Sequence, residues 1–433
     1  MLLSLSPDSL GSGQKGVYSV CTTHEAVLEA ALMRGRRGEN LIIETTANQV
    51  NQFGGYTGMT AKDFIQRIRE KMKILDIPSE AIVFGSDHAG PFPWRNEPEA
   101  RAMEKARCLV AESVLAGYTK IHIDASMHLA DDQGNRTRPL EPRVGARRSA
   151  ELCKVAEESW ERMRGRVPGT PAPLYVIGTD VPAPGGTESG AAEPQVTTAE
   201  ELQESVALCH ETFLSFGLEK AWERVIAVVV QPAVEHGERI VHRYDHKKVQ
   251  ELVFARKKLM PKTVFEAHAT DYQTEGALRQ MVQDGFAILK VGPSLTGAVR
   301  EALFLLEYVE EACSSIEKEL KRSKLADVLE QAMVSNPDHW KSYYQGDEAE
   351  KRFLRKFGLS DRCRYYWGVP AVTRAVDQLL ANLRSVEIPL ALLNQYMPRQ
   401  SLRVQEGALP LDPDSLIRAQ VDEVLARYAA AVS

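Results

Sequence analysis

Eight short apolar segments, each separated from the next by a longer amphipathic segment, constrain the fold of this chain more than any other feature. Each is at most seven residues long, rich in β-branched residues and hydrophobic at nearly every position. Such runs are typical of strands buried on both faces of a parallel sheet. They occupy residues 16–21, 41–45, 81–86, 120–125, 174–179, 225–231, 263–268 and 286–292.

The segments between these runs have helical periodicity. Residues 61–75 place Phe64, Ile65, Ile68 and Met72 on one face. Strands alternating with helices predict either a (β/α)8 TIM barrel or an open doubly wound sheet. The count of eight, the polar residues after nearly every run and the lack of a GxGxxG loop after the first run favour the barrel.

The pattern changes near residue 300, beyond which the sequence is almost wholly helical. We therefore predict an α/β protein with two parts, a barrel over residues 1–300 and a helical C-terminal extension over 301–433 that packs on it. The Pro- and Gly-rich stretch 181–195 is interpreted as a loop between the fifth and sixth strands.

Charge and cysteine content exclude several classes of protein. The chain has 53 Lys and Arg residues against 59 Asp and Glu, a net charge of −6, which is unlike the basic footprint of a nucleic-acid-binding protein. Its six cysteines form no CxxC pair, so a disulfide framework is not expected and a reducing cytoplasm fits. The apolar run 225–230 is far shorter than the ~20 residues of a membrane span. We predict a soluble cytoplasmic protein without a signal peptide, bound to neither nucleic acid nor membrane.

Polar residues gather where the predicted strands end, which in a barrel is the catalytic face. Two histidines, His88 and His268, follow different strands and should face the same mouth, where two imidazoles and a carboxylate suffice for a divalent metal ion. The third ligand stays open among Glu44, Asp124, Asp180 and Glu266. Our assignment gives His88, His268 and Asp180 to the metal, and Asp87, Asp124 and Glu266 to catalysis.

These assignments compete with simpler interpretations. Asp87 and His88 could cap a helix, and Asp124 and Glu266 could form structural ion pairs. His122 is interpreted as a structural strand residue. Three histidines of the polar segment 236–248 are interpreted as solvated loop residues: His236, His242 and His246.

Residues 290–304 suggest an anion site, because a strand end leads through Gly292 into a helix whose free N–H groups favour phosphate. Simple N-capping by Ser294 or Thr296 is the alternative. Lys290 could form a Schiff base or, more modestly, pair with a carboxylate or the substrate. The predicted substrate-binding set is Glu44, Asn48, Gln52, Gln231, Asp271, Lys290, Ser294 and Thr296.

Nine collinear motifs between about residues 14 and 400 resemble the Z subunit of D-tagatose-1,6-bisphosphate aldolase. They are ANQVNQFGGYTGM, GSDHAGP, KIHIDASM, YVIGTDVPAPGG, VVVQPAVE, EAHATDYQT, AILKVGPSLT, SDRCRYYW and IPLALLNQYMP. The resemblance implies a barrel similar to class II aldolases, in which an Asp–His pair on the third strand supplies a base and a metal ligand. Asp87 and His88 match that pair, and His268 lies on a strand where a second ligand is expected. Asp180 stands where the family commonly has Glu, and GPFPW replaces GPN-x-W.

The resemblance implies two alternative roles, one of them non-catalytic. Some members are non-catalytic partners of a class II aldolase Y subunit, and others resemble metal-dependent 4-epimerases of ketohexoses or their phosphates. Carbon 4 of a 2-ketose carries no acidic proton, so its epimerisation without a dinucleotide requires cleavage of the C3–C4 bond, giving an enediolate that a divalent metal stabilises. A kinase is not expected, because no GxxxxGK[ST] motif is present.

We therefore predict a ketohexose-phosphate enzyme of tagatose or fructose metabolism, dependent on Zn, Mn, Ni or Mg and homo-oligomeric. The rival hypotheses are a non-catalytic Z-type subunit and a sugar-phosphate sensor.

Overall fold

A computed structural model describes residues 16–136, 138–178, 194–317 and 320–433. Within these ranges the strands are β1 (Val17–Val20), β2 (Leu41–Thr46), β3 (Ile82–Ala89), β4 (Lys120–Ile123), β5 (Leu174–Ile177), β6 (Val225–Val229), β7 (Glu235–His236), β8 (Val241–His242), β9 (Val264–Ala267) and β10 (Phe286–Val291). The helices are α1 (Glu25–Arg36), α2 (Ala61–Ile74), α3 (Glu99–Ala116), α4 (Pro142–Arg166), α5 (Ala199–Ser215), α6 (Glu219–Trp222), α7 (Gln250–Leu259), α8 (Glu275–Gln283), α9 (Pro293–Ser314), α10 (Leu325–Ser335), α11 (Glu348–Phe357), α12 (Pro370–Ser385), α13 (Leu390–Tyr396), α14 (Pro398–Gln405) and α15 (Pro413–Val432).

Eight of the strands close into a parallel barrel in the order β1-β10-β9-β6-β5-β4-β3-β2. The predicted (β/α)8 fold with a helical C-terminal part is confirmed. The helices form for local reasons as well: Thr60 and Asp63 make a reciprocal capping box at the start of α2, and α3 ends at Gly117 in the left-handed conformation. The remaining strands, β7 and β8, pair as an antiparallel hairpin in the loop after β6.

The interior of the barrel is layered. Its amino-terminal part is filled by an apolar cluster to which β1, β2, β5, β6, β9 and β10 contribute, including Val17, Ile42 and Ile288. Its carboxyl-terminal part instead holds charged side chains that are fully buried: Glu44, Lys120 and Glu266. Burying charge is unfavourable unless it is paired, so this layer marks the end of the barrel where function is concentrated.

The C-terminal helices are not a separate body. Helix α9 runs through the predicted boundary at residue 300, and α15 packs against α1, α8 and α9. The Nε of Arg34 lies 2.8 Å from Oδ1 of Asp422, and the amide of Gly16 donates to the carbonyl of Val432. None of the helices in the described ranges is both long and apolar enough to cross a membrane.

A buried ion pair attaches the extension to the barrel. The Nε of Arg300, on α9, donates to Oδ1 of Asp361 at 2.7 Å, and both side chains are almost fully buried. Replacing Arg300 by Met leaves the Asp361 carboxylate buried without its partner, so we expect a loss of about 3–5 kcal/mol in the free energy of unfolding, measured in urea. The double variant Arg300→Met/Asp361→Asn should recover much of this loss. A single variant as stable as the parent would contradict the prediction.

Candidate active site at the carboxyl end of the barrel

Two lysines and two glutamates form the charged layer below the barrel mouth. The Nζ of Lys120 lies 2.5 Å from Oε1 of Glu44 and 2.6 Å from Oε2 of Glu266. The Nζ of Lys290 lies 3.1 Å from Oε2 of Glu44 and 3.3 Å from Oε1 of Glu266, and it also pairs with Asp87. Glu44 is therefore held in ion pairs within the barrel, while Lys290 reaches the cavity above it.

The charge of Lys290 decides between its two predicted roles. Burial lowers the pKa of Lys290, but Asp87, Glu44 and Glu266 outweigh it and hold the pKa well above the usual value. A Schiff-base nucleophile needs a neutral amine, whereas this amine stays protonated. The structure therefore favours the role of a paired cation.

Three imidazoles converge directly above this layer. His88 ends β3, His122 lies in β4 and His268 follows β9. The ring centroid of His88 lies 4.8 Å from that of His122 and 4.8 Å from that of His268. The ring centroids of His122 and His268 are 5.1 Å apart. Ligand atoms of these histidines and of Asp87 all lie within 4.8 Å of one another, and all four residues are buried. Only closure of the barrel brings the three strands together.

An outer partner orients each imidazole. The Nδ1 of His88 lies 2.9 Å from Oδ2 of Asp124, and the Nε2 of His122 lies 3.1 Å from the carbonyl oxygen of Gly178. The Nε2 of His268 lies 3.0 Å from Oε1 of Glu266. A carboxylate or carbonyl on one ring nitrogen, with the other nitrogen turned inward, is the usual arrangement of metal-binding histidines.

The protonation states in this cluster also suit a cation. Burial and the nearby Lys290 lower the pKa of His268 to about 3, so that its imidazole is neutral at physiological pH. Burial raises the pKa of Asp87, but Lys290 and His88 outweigh it and keep the carboxyl ionised. Burial lowers the pKa of His88, but Asp87 and Asp124 outweigh it and raise the pKa above its usual value. The neutral imidazole of His268 and the ionised carboxylate of Asp87 fit the divalent ions expected from the sequence.

The backbone at His88 is unusual, because its φ angle of 46° lies in the left-handed region that non-glycine residues rarely occupy. The residue directly follows Asp87, and the backbone N–H of His88 donates to Nδ1 of His122 at 3.3 Å. This conformation costs of order 1–3 kcal/mol and persists where the surroundings require it, commonly at functional sites.

The remaining predicted residues divide into two groups. Asn48, Asp271 and Thr296 line the same cavity as Asp87, His88, His268 and Lys290. Gln52 is turned away, since its Nε2 donates to the carbonyl of Lys105, and the Oε1 of Gln231 accepts from the amide of Val234. Asp180 lies outside the described residues, and its role as a ligand stays a prediction.

At the start of α9, where the sequence suggested either a phosphate site or an N-cap, the structure gives the N–H groups a partner within the chain. Oδ1 of Asp271 accepts hydrogen bonds from the backbone N–H of Gly292 (3.1 Å) and of Ser294 (2.8 Å), and from the Ser294 hydroxyl (2.7 Å). These donors are therefore engaged by a carboxylate of the chain itself. Asp271 caps this helix, which the sequence could not reveal because the carboxylate comes from the loop after β9.

Several residues at the cavity were missed or misread from sequence. His122 belongs to the imidazole cluster, and His236 is 3% exposed and lines the cavity, so its interpretation as a solvated loop residue is wrong. Glu235 beside it is equally buried, and burial together with Asp271 raises its pKa to about 7. The short hairpin carrying both residues left no clear periodicity in the sequence.

Two more lining residues, Arg364 and Tyr365, come from the C-terminal extension. They belong to SDRCRYYW, one of the motifs on which the family resemblance rests. The motif was visible in the sequence, but its position above the barrel mouth was not, because that position depends on long-range packing.

The pairing of Asp124 with His88 leads to a test. Asp124→Asn keeps the shape of the side chain but removes the charge that orients the imidazole through Nδ1, so we expect metal affinity to fall about 10–100-fold. Competition with a chelating dye would measure this, with the exposed Asp377→Asn on α12 as control. Unchanged affinity in Asp124→Asn would contradict the positioning role.

Fold and site together define a class: a (β/α)8 barrel with an imidazole–carboxylate cluster at its carboxyl-terminal mouth. The chain belongs to the GatZ/KbaZ-like family of D-tagatose-1,6-bisphosphate aldolase subunits, whose model matches residues 5–433. The resemblance found in the sequence is thereby confirmed.

Individual relatives match this chain over nearly its whole length. The D-tagatose-1,6-bisphosphate aldolase subunit GatZ of Salmonella agona is 43% identical over 417 residues, covering 96% of this chain and 95% of the relative. The protein of that name from Klebsiella pneumoniae is 42% identical over 414 residues, with 95% of both chains covered. The crystal structure of a probable tagatose 6 phosphate kinase from Sinorhizobium meliloti 1021 is 39% identical with a TM-score of 0.85, covering 96% of this chain and 100% of that one.

Proposed function

We propose that this chain is a divalent-metal-dependent enzyme acting on a ketohexose phosphate by retro-aldol and aldol chemistry at the C3–C4 bond. The observation that carries the proposal is the cluster of three imidazoles and Asp87, with ligand atoms within 4.8 Å of one another beside a protonated lysine. His88, His122 and His268 would hold the ion. When bound there, it would supply Lewis-acid stabilisation of negative charge on substrate oxygens.

The residues of the chain account for the remaining steps. Asp87 accepts the proton of the C4 hydroxyl as the C3–C4 bond breaks, leaving an aldehyde and an enediolate fragment. Lys290 pairs with Asp87 and keeps it ionised, and its positive charge lies where negative charge develops on the substrate. Return of the proton to O4 on re-addition completes the cycle. Addition to the opposite face of the aldehyde yields the 4-epimer, whereas departure of the fragments is aldolase activity.

Glu235 is a second group suited to proton transfer. It lines the cavity with Asp87, and a carboxyl with a pKa of about 7 can both donate and accept a proton near neutrality. It could protonate the enediolate fragment or assist rotation of the aldehyde by exchanging hydrogen bonds with it. A residue of this kind is needed by an enzyme and has no evident use in a scaffold.

The substrate class is inferred from the family. The relatives from Salmonella and Klebsiella bear the name of a D-tagatose-1,6-bisphosphate aldolase subunit, which suggests tagatose and fructose phosphates. The name subunit also favours the second candidate function, a non-catalytic Z-type partner that stabilises a separate class II aldolase subunit. Against it stands the buried charged layer below the mouth, since a scaffold could fill this volume with apolar side chains at lower cost.

One experiment separates the candidates. The purified chain alone is incubated with fructose 6-phosphate or tagatose 1,6-bisphosphate, with and without Mn²⁺ or Zn²⁺, and products are followed by NMR. Metal-dependent product without a partner supports the enzyme, and a chelator should abolish it. A protein that retains metal without turnover would favour the accessory subunit or a sensor. Light scattering on the same sample tests the predicted homo-oligomer.

A further inference from the structure

Arg364 brings a positive charge to the cavity without a carboxylate partner. Its Nη1 donates to the carbonyl oxygens of Ser360 and Asp361, and its Nη2 donates to the Tyr365 hydroxyl at 3.0 Å. Among the described residues, no carboxylate oxygen lies within ion-pair distance of this guanidinium. By contrast, Lys290 on the same cavity contacts three carboxylates.

Part of the guanidinium is available for a ligand. A guanidinium has five N–H donors in a planar fork, and the three hydrogen bonds to the chain leave the Nε–H and one N–H of Nη2 without a partner in the described part of the chain. Such a fork matches two oxygens of a phosphate. A cation set into a cavity with no carboxylate within ion-pair distance is unfavourable, and a bound anion would relieve that cost.

The segment that carries Arg364 is fixed above the barrel mouth. Three side chains of the barrel and its loops hold it: the Tyr272 hydroxyl donates to the carbonyl of Leu359 at 2.6 Å, Glu238 accepts from Ser360 at 2.7 Å, and Arg300 pairs with Asp361. The cationic group is therefore positioned before any ligand binds, which reduces the entropic cost of binding.

The neighbouring Tyr365 is held equally firmly. Its ring stacks on His339 with centroids 4.7 Å apart and meets Tyr56 edge-on at 5.3 Å. Its hydroxyl oxygen accepts from Arg364, so the hydroxyl proton can be directed to an anion beside the guanidinium.

We propose that Arg364 and Tyr365, supplied by the C-terminal extension, form the phosphate-binding end of the cavity. The expected ligand is the phosphate monoester of a ketose, and free phosphate shares the same chemistry. The identity of the sugar rests on the proposed function, but the anion site does not. We assign phosphate binding to Arg364 and Tyr365 and not to the start of α9, because Asp271 already accepts hydrogen bonds from the N–H groups of Gly292 and Ser294.

Binding to the metal-free protein tests this without turnover. Isothermal titration calorimetry with fructose 6-phosphate, fructose and inorganic phosphate compares the parent with Arg364→Gln, Arg364→Lys and Tyr365→Phe. We expect Arg364→Gln to weaken fructose 6-phosphate and inorganic phosphate about 10–100-fold, as for the loss of a charge-assisted hydrogen-bond pair, while fructose binding changes little. Arg364→Lys should keep part of the affinity, because it retains the charge but loses the fork. Tyr365→Phe should cost less than Arg364→Gln.

The control is Arg374→Gln, which removes a positive charge from an exposed position of α12 in the same extension. Thermal unfolding of each variant checks that the fold is retained. Equal affinity of the parent and Arg364→Gln for fructose 6-phosphate overturns the proposal, as does a parent that binds fructose 6-phosphate no better than fructose. If Arg364→Gln weakens binding of the phosphate compounds while the parent shows no turnover, the anion site is supported and only the proposed enzymatic activity is rejected.

Discussion

His268→Ala should abolish both tight metal binding and turnover. His268 presents a neutral imidazole to the cluster that it forms with His88, His122 and Asp87. Loss of an outer partner of a metal ligand costs about 10–100-fold in affinity, and loss of a ligand itself should cost more. Lewis-acid stabilisation is worth several kilocalories per mole, so turnover should fall by roughly 10³-fold or more.

Metal content by mass spectrometry and product formation should be measured on the same preparation. His246→Ala is the matched control, because this histidine is largely exposed and contacts Asp284 outside the cluster. It should keep the metal and most of the activity. An unchanged metal stoichiometry and affinity in His268→Ala would reject the site, and the metal-dependent mechanism with it.

Asp87→Asn should reduce turnover by on the order of 10²–10⁴ while metal stays bound. The amide keeps the size and much of the hydrogen-bonding capacity of the carboxylate but cannot accept the proton of the C4 hydroxyl. Three imidazoles suffice to hold a catalytic ion, so the metal should remain. Rate and metal stoichiometry are again determined together, with Asp377→Asn as the control for a neutralised surface carboxylate.

The two ways in which this experiment can fail have different meanings. Full activity in Asp87→Asn would show that Asp87 is not the base, and Glu235 would then be the next residue to replace. Loss of metal together with activity would make Asp87 a ligand, which its position among the imidazoles also permits. In either case Lys290 loses its pairing with the Asp87 carboxylate, so unfolding measurements should accompany the assay.

The barrel and half of its imidazole–carboxylate cluster could be predicted from the sequence. Eight apolar runs with helical segments between them leave few topologies, and parallel strands place all their carboxyl ends at one mouth. His88 and His268 could therefore be assigned to the same site although 180 positions separate them. This inference needs only the local periodicity and the order of the strands.

Other assignments depended on contacts between distant segments. His122 in β4 alternates with Asp124 just after it, and this pattern could not distinguish a ligand from a packed strand residue. The convergence of β3, β4 and the end of β9 places His122 in the imidazole cluster. The N–H groups at the start of α9 could have bound phosphate or a cap, and competition from Asp271 determined which. Which acceptor pairs with these donors depends on which group the tertiary structure places within hydrogen-bond distance of them.

The same reason explains Arg364. Its segment lies far beyond the last barrel strand, and within the sequence it is an aromatic-rich stretch without a recognisable binding motif. Packing against α9 and the loops after β6 and β9 sets it over the mouth. The periodicity of apolar residues and the residue types determine which helices and strands form and which side chains face the core, because these follow from local sterics and burial. The partners of each polar group follow from tertiary packing, because hydrogen bonds and ion pairs act over a few ångströms between residues hundreds of positions apart.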